Sequence, residues 1–302
     1  MLSKYAFVTL IILYMTSSCQ QIDTPDQLKQ SIENTLKRSP GEYAVAFKDL
    51  GTGETILINA KASFHAASTM KTPVMIEVFK QAAAGRFALT DSFMVKNEFR
   101  SIVDSSTYQL DSADDSDHDI YKHIGQPATL LQLVTDMITK SSNLATNMVI
   151  ELVDARNVTQ TMRELGAMDI KVLRGVEDNK AFQQGLNNST TAYDLMLIFE
   201  KMAAGKTVGQ SASDSMIHIL LDQHFNAILP ARLPKDVKVA HKTGNITGVE
   251  HDGGIVFLPD GRKYVLVLLS KDLKDEAAAK KMLAGISEKV YTYVDQHTKK
   301  AN

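Results

Sequence analysis

The sequence predicts an α+β fold: a five-stranded antiparallel sheet covered by N- and C-terminal helices, with an all-α lobe inserted between the halves of the sheet. Three observations predict it. Strand-like runs cluster near both ends of the chain, a helix-periodic segment stands outside each cluster, and the long middle carries helical spacing. The chain has 302 residues, 44% of them hydrophobic and 23% charged, which is enough for a two-lobed core.

The first element is one to exclude. Lys4 is followed by the mostly apolar residues 6–15 and then by Thr16, Ser17, Ser18 and Cys19. A bilayer span needs ~20 apolar residues, so residues 1–18 read as a removable signal segment, not a membrane helix. The single cysteine, Cys19, stands where such a signal would end. This layout resembles a bacterial lipoprotein processing site and implies an exported, periplasmic chain anchored to the membrane through a lipid on Cys19. An ordinary cleaved signal with an incidental thiol is the alternative.

Residues 27–37 carry apolar positions at Leu28, Ile32 and Leu36, and Ser39-Pro40-Gly41 ends that helix. Residues 43–48 and 55–59 are strand-like and flank Asp49-Leu50-Gly51-Thr52-Gly53, a hairpin loop with two glycines. Residues 68–202 read as almost entirely helical, with apolar runs at 130–138 and 144–153. Strands return at 237–243, 254–258 and 263–270, the last two joined by Pro259-Asp260-Gly261. Residues 274–296 form a closing amphipathic helix through Ala278, Met282, Ile286, Val290 and Tyr293. The expected division is therefore a sheet lobe of residues 19–66 and 203–302, an all-α lobe of 67–202, and a small-molecule cleft between them.

Thirty-three basic against 35 acidic residues leave a charge of −2, so nothing points to nucleic acid as a partner. One cysteine makes no internal disulfide, and no Cys/His cluster has zinc-ligand spacing; no metal or other cofactor is expected. No heptad or long exposed apolar stretch is visible, which suggests a monomer. The stretch from Asp111 to Asp119 lacks the sixth-position glycine and closing glutamate of an EF-hand, so it reads as a solvated acidic loop. His241, His251 and Asp252 read as strand-face polar groups, and methionines such as Met70, Met75, Met137 and Met202 as core filler.

Three short motifs carry chemistry. Ser68-Thr69-Met70-Lys71 precedes Pro73 and an apolar run, which puts Ser68 at the start of a buried helix with Lys71 on the same face. A desolvated lysine accepts a proton from serine, and the helix N-terminus favours a nearby oxyanion. An isolated S-x-x-K arises by chance about once in a chain this long. Here it is followed in order by Ser141-Ser142-Asn143, after a helix, and by Lys242-Thr243-Gly244, on a strand.

In this order and context the motifs resemble those of the penicillin-recognising serine hydrolases, above all the class A β-lactamases, over residues 22–297. The resemblance implies Ser68 as the acylated nucleophile, Lys71 as its proton-transfer partner and Ser141 as the relay to the lactam nitrogen. It also implies that Asn143 holds Lys71 and the substrate amide, and that Lys242 and Thr243 face the substrate carboxylate. Gly244 completes that strand motif. The backbone N–H groups of Ser68 and Asn245 would form an oxyanion hole.

Glu177, in Arg174-Gly175-Val176-Glu177-Asp178-Asn179, lies 36 residues after Ser141 (177 − 141), similar to the spacing of the family's deacylating glutamate. A surface ion pair with Arg174 is its other reading.

Three departures stand out. Ser142 replaces the usual aspartate, Ala181 stands where an asparagine usually helps hold the hydrolytic water, and residues 97–125 form a longer connection than usual. Asn179 and Asn187 are candidate substitutes for the missing asparagine, and Tyr108 and Tyr121 near the mouth read as packed or exposed aromatics, with stacking on a substrate as the other reading. The expected function is hydrolysis of a small-molecule β-lactam through an acyl-enzyme on Ser68. The alternatives are a D-alanyl-D-alanine carboxypeptidase or esterase, and a non-hydrolytic penicilloyl-binding lipoprotein.

Overall fold

Helix α1 (Pro25–Leu36) begins at a cap: the Thr24 hydroxyl accepts from the Gln27 N–H at 3.2 Å, with proline in the first turn. A computed structural model describes residues 22–298, so the expected signal segment and Cys19 lie outside the described residues. Strands β1 (Glu42–Asp49) and β2 (Thr55–Ile58) follow. Their loop is tied by Asp49 Oδ1, which accepts from the N–H groups of Gly51 at 2.8 Å and Thr52 at 2.9 Å. Then come α2 (Lys71–Ala83), α3 (Leu130–Thr139), α4 (Asn143–Val153), α5 (Ala155–Glu164), the short α6 (Asn179–Gln183), α7 (Ala192–Ala203) and α8 (Gln210–Leu221). Strands β3 (Lys238–Ile246), β4 (Val249–Phe257) and β5 (Lys263–Lys271) precede the long α9 (Glu276–Thr298).

The sheet has the order β2-β1-β5-β4-β3 and is antiparallel throughout, with Glu42 opposite Lys271 and Asp49 opposite Tyr264. The two ends of the chain thus pair at its centre. Side chains alternate between two cores, as the period of a strand requires. Val45, Phe47, Leu266 and Leu268 pack with Leu28 and Ile32 of α1 and with Leu283, Ile286 and Val290 of α9. Ala44, Ala46, Val265, Val267 and Leu269 face the helical layer, where α2 is buried at every residue from 71 to 79. Each large aliphatic side chain fully buried this way contributes about 1.5–3 kcal/mol. Met70, Met75, Met137 and Met202 all sit in that second core, as expected.

Three features differ from the sequence reading. β4 begins at Val249, not near residue 254, because Gly248 (φ +74°) turns the chain tightly after β3, and the polar residues that disguised the strand find buried partners. The stretch between α2 and α3 holds no α-helix. It contains only short ladders, Ser92–Met94 with Pro127–Thr129 and Phe99–Arg100 with Thr107–Tyr108, and a 3₁₀ turn at Asp119–His123. Helix α8, placed with the sheet lobe by the sequence, buries Met216, Ile219 and Leu220 in the helical core.

Candidate active site

The nucleophile candidate sits on a strained turn. A 3₁₀ turn (Ala67–Met70) leads into α2, and its first residue, Ala67, is held at φ +44°, a conformation costly for alanine. Backbone and imidazole groups enforce it: Ala66 N–H donates to Asn188 O at 2.9 Å and Ala67 N–H to His65 Nδ1 at 3.0 Å. His65 is pinned in turn by His251, whose Nε2–H donates to His65 O at 2.9 Å while its Nδ1 accepts from Ser270 N–H at 3.1 Å. Burial holds the His251 imidazole down at about 4, so this tautomer stays neutral at ordinary pH. Ser68 itself is half-buried, and its hydroxyl makes no hydrogen bond to a described residue.

Lys71 is completely buried one helical turn further on. Its ammonium donates to Ser141 O at 2.7 Å, Asn143 Oδ1 at 2.9 Å and Ser141 Oγ at 3.2 Å, so its bonds go across the cleft and not to Ser68. Burial lowers it from an ordinary 10.5 to about 7, against the opposing pull of the Asp115 and Glu177 carboxylates. Ser141 adopts φ +57°, and Ser142 caps α4 by accepting from Ala145 N–H at 3.3 Å. That cap explains how the motif tolerates a serine at its centre.

Lys242 enters from β3, the edge strand, and donates to Ser141 Oγ at 3.1 Å and Thr243 O at 3.0 Å. Burial first, and Lys71 second, push its ammonium well below the ordinary lysine value, while Asp252 opposes them. Gly244 lets β3 approach the nucleophile turn: a Cβ there would stand 3.1 Å from Thr69 Cγ2, 3.2 Å from Thr69 N and 3.3 Å from Ala67 Cβ. The Asn245 side chain is not brought to the site. It donates to Glu250, which Lys280 of α9 pairs at 2.9 Å, leaving only the Asn245 backbone for the cleft.

Glu177 closes the constellation. Its Oε1 accepts from Asn143 Nδ2 at 2.9 Å, and burial raises its carboxyl above the ordinary glutamate value. A continuous chain of hydrogen bonds therefore runs from Lys242 through Ser141, Lys71 and Asn143 to Glu177. Glu177 is held at φ +61° by its neighbours. Asn147 Oδ1 accepts from Val176 N–H at 2.7 Å and its Nδ2 donates to Val176 O at 3.0 Å; Asp178 caps α6 and accepts from Ser101 Oγ and Ile102 N–H at 2.9 Å each. The ion pair with Arg174 does not form. That guanidinium is buried against Leu186 O, Gly175 O and Asn187 Oδ1.

Sequence reasoning missed Asn147, although it lies four residues after Asn143 and so on the same face of α4. It missed Asp115 outright, since the stretch from Asp111 to Asp119 is not simply solvated. Asp115 and Asp117 are buried, while Asp111, Asp114 and Asp119 are exposed. Neither candidate amide replaces the one missing at position 181: Ala181 is buried, Asn179 is exposed and Asn187 serves Arg174. Tyr108 and Tyr121 are tied by their hydroxyls to Val176 O and Asp115. His241 and Asp252 form a buried pair at 2.8 Å.

The family model described as the Beta-lactamase enzyme family matches residues 27–294. The chain is similar to Beta-lactamase VEB-1 of Pseudomonas aeruginosa, at 22% identity over 96% of this chain and 97% of that protein. Among solved structures, the β-lactamase of Sphaerobacter thermophilus DSM 20745 matches at 26% identity with a TM-score of 0.75, covering 87% of this chain and 96% of that one. PBP-A matches at 26% identity with a TM-score of 0.75, covering 89% and 96%.

Proposed function

This chain belongs to the β-lactamase enzyme family, and we propose that it hydrolyses β-lactams through an acyl-enzyme on Ser68, with Glu177 activating the water that releases the acid. The observation that carries this reading is the Asn143 side chain, which bonds Lys71 with its oxygen and Glu177 with its amide nitrogen, both at 2.9 Å. One residue thus joins the acylating and deacylating groups.

In the proposed cycle Ser68 Oγ forms a bond to the lactam carbonyl carbon and its proton passes to the neutral Lys71 amine, or to water held by Glu177. The oxyanion lies against the N–H groups of Ser68 and Asn245. As the C–N bond breaks, Ser141 delivers a proton to the leaving nitrogen. It stands 3.2 Å from Lys71 Nζ and 3.1 Å from Lys242 Nζ, so it is replenished from either side. The substrate carboxylate pairs with Lys242 and Thr243, and its charge favours the ammonium form that burial otherwise suppresses. Glu177 then takes a proton from water as it attacks the ester, and as the Ser68–acyl bond breaks a proton returns to Ser68 Oγ, restoring the serine hydroxyl and the Glu177 carboxylate.

The position of Gly244 yields a prediction. Gly244→Ala is expected to push β3 from the Ser68 turn by a few tenths of an ångström and to lower kcat/KM about tenfold with little loss of stability. Steady-state kinetics beside a thermal melt would check it, and unchanged kcat/KM would mean that the close approach at Gly244 does not position the Ser68 turn.

The reading as a whole is tested by intact-protein mass spectrometry with a chromogenic cephalosporin, sampled from seconds to hours. Many turnovers with little standing adduct are expected, and absence of any adduct on Ser68 together with absence of turnover would overturn it. Ala181 favours one second reading, a protein that acylates and stops, because the water beside Glu177 lacks a second amide; a persistent one-equivalent adduct would select it. Export to the periplasm and a lipid on Cys19 are part of the proposal. The mass of the chain recovered from membranes, beginning at Cys19 with a lipid attached, is the expected result.

A further inference from the structure

We propose that Asp115 is a positioning residue for both chemical steps: its buried carboxylate, carried on a separate loop, clamps the Ser141–Asn143 turn so that Asn143 reaches Lys71 and Glu177 together. The proposal rests on the serine β-lactamase reading of the site. Asp115 is 2% exposed and saturated with donors. Both its oxygens accept from Asn143 N–H at 2.9 Å, and Oδ2 also accepts from Leu144 N–H at 2.9 Å and Tyr121 OH at 3.0 Å. Oδ1 accepts from Asp117 N–H at 3.0 Å. The carboxylate therefore meets the first free N–H groups of α4, where the helix dipole favours negative charge.

The clamp acts at a strained point. Ser141, two residues before the clamped Asn143 N–H, sits at φ +57°, a conformation a serine leaves readily unless its neighbours over-determine it. Ser116, next to Asp115, adds a second tie from the same loop by donating to Lys140 O at 2.8 Å. The turn so fixed supplies all three acceptors of the Lys71 ammonium and the donor to Glu177. A shift of this turn displaces both proton-handling groups at once. Ser142 cannot do this work, because its hydroxyl is spent on Ala145 N–H.

Asp115 also acts by charge. Its carboxylate raises both Lys71 and Glu177, while Asp114 raises Glu177 further and Lys71 lowers the facing Lys242. Removing the charge alone should therefore lower both groups and carry the acid limb of the pH–rate profile to lower pH. Looser packing would instead raise Lys71 while lowering Glu177, because burial shifts the two groups in opposite directions, so a lowered Lys71 identifies the lost charge.

The test compares wild type with Asp115→Asn, using a chromogenic cephalosporin and quenched intact mass for the rates of adduct formation and loss. Both rates are expected to fall about tenfold with KM little changed, and the acid limb to move to lower pH. A folded variant with wild-type rates, or one slowed with an unmoved acid limb, would overturn the proposal. If Asp115→Asn does not fold, Tyr121→Phe removes one donor to the carboxylate; slowed adduct formation supports the clamp and an unchanged rate overturns it. NMR titration of the lysine side chains separates this proposal from the reading beneath it. A lowered Lys71 pKa in Asp115→Asn supports the coupling even if the wild type takes up no cephalosporin, and an unmoved one overturns it.

Discussion

Glu177→Gln is expected to leave acylation of Ser68 nearly intact and to slow deacylation about a thousandfold, within the ~10²–10⁴ range for a positioned general base. The amide keeps the shape of the carboxylate, and its oxygen still accepts from Asn143 Nδ2, so the loop and Lys71 stay in place. What it loses is the ability to take a proton from water. The variant should therefore give one rapid equivalent of product and then hold a full adduct on Ser68, visible by mass for minutes or longer. In the wild type, burial raises the Glu177 carboxyl, so deacylation should fail as pH drops through that raised value. The variant should lack this limb in its slow step. If acylation and deacylation fall by the same factor, Lys71 is not the acylating base and a Glu177-bound water takes the Ser68 proton. If turnover is unchanged, Glu177 has no part in the chemistry.

How much of this was legible beforehand depends on whether the relevant forces are local. The sheet was legible, because two-residue alternation and turn glycines act within a few residues. β4 was the exception: Glu250, His251 and Asp252 interrupt the apolar run before Gly253-Gly254, and the partners that bury two of them, His65 O and Leu229 N–H, arrive from distant segments. Ser68 and Lys71 were legible as a helical pair. Spacing alone could not show that Ala67 would be held at positive φ, or that Lys71 would bond across the cleft. The loop around Asp115 defeated composition altogether. Five aspartates in nine residues look solvated, and only folding brings the N-terminus of α4, 28 residues away, to meet one of them. Electrostatic partners fixed by tertiary structure leave no periodic trace in the chain.

Replacing Lys71 with methionine is expected to lower acylation by about a thousandfold or more while making the protein more stable below pH 7. The two results have one cause. A lysine ordinarily near 10.5 that is lowered to about 7 is a charge the folded protein tolerates poorly, by about 5 kcal/mol at 1.36 kcal/mol per pH unit. Methionine has a similar reach and no charge to desolvate, and its removal of the ammonium also relieves Lys242. Against this, Ser141 O and Asn143 Oδ1 lose a donor, at about 1–3 kcal/mol. A net gain of about 2–4 kcal/mol at pH 6 follows. Below pH 7 the lysine is charged in both folded and unfolded chains, so the wild type bears the full penalty. Between about 7 and 10.5 only the unfolded chain holds the proton, so wild-type stability rises with pH. The advantage of methionine should therefore shrink across that window and reverse near its upper end, where only the lost hydrogen bonds remain. Denaturant melts of both proteins at pH 6, 8 and 10 would show the crossing. A variant less stable than wild type at pH 6, or a stability difference independent of pH, would mean that the fold does not hold Lys71 as a destabilised base.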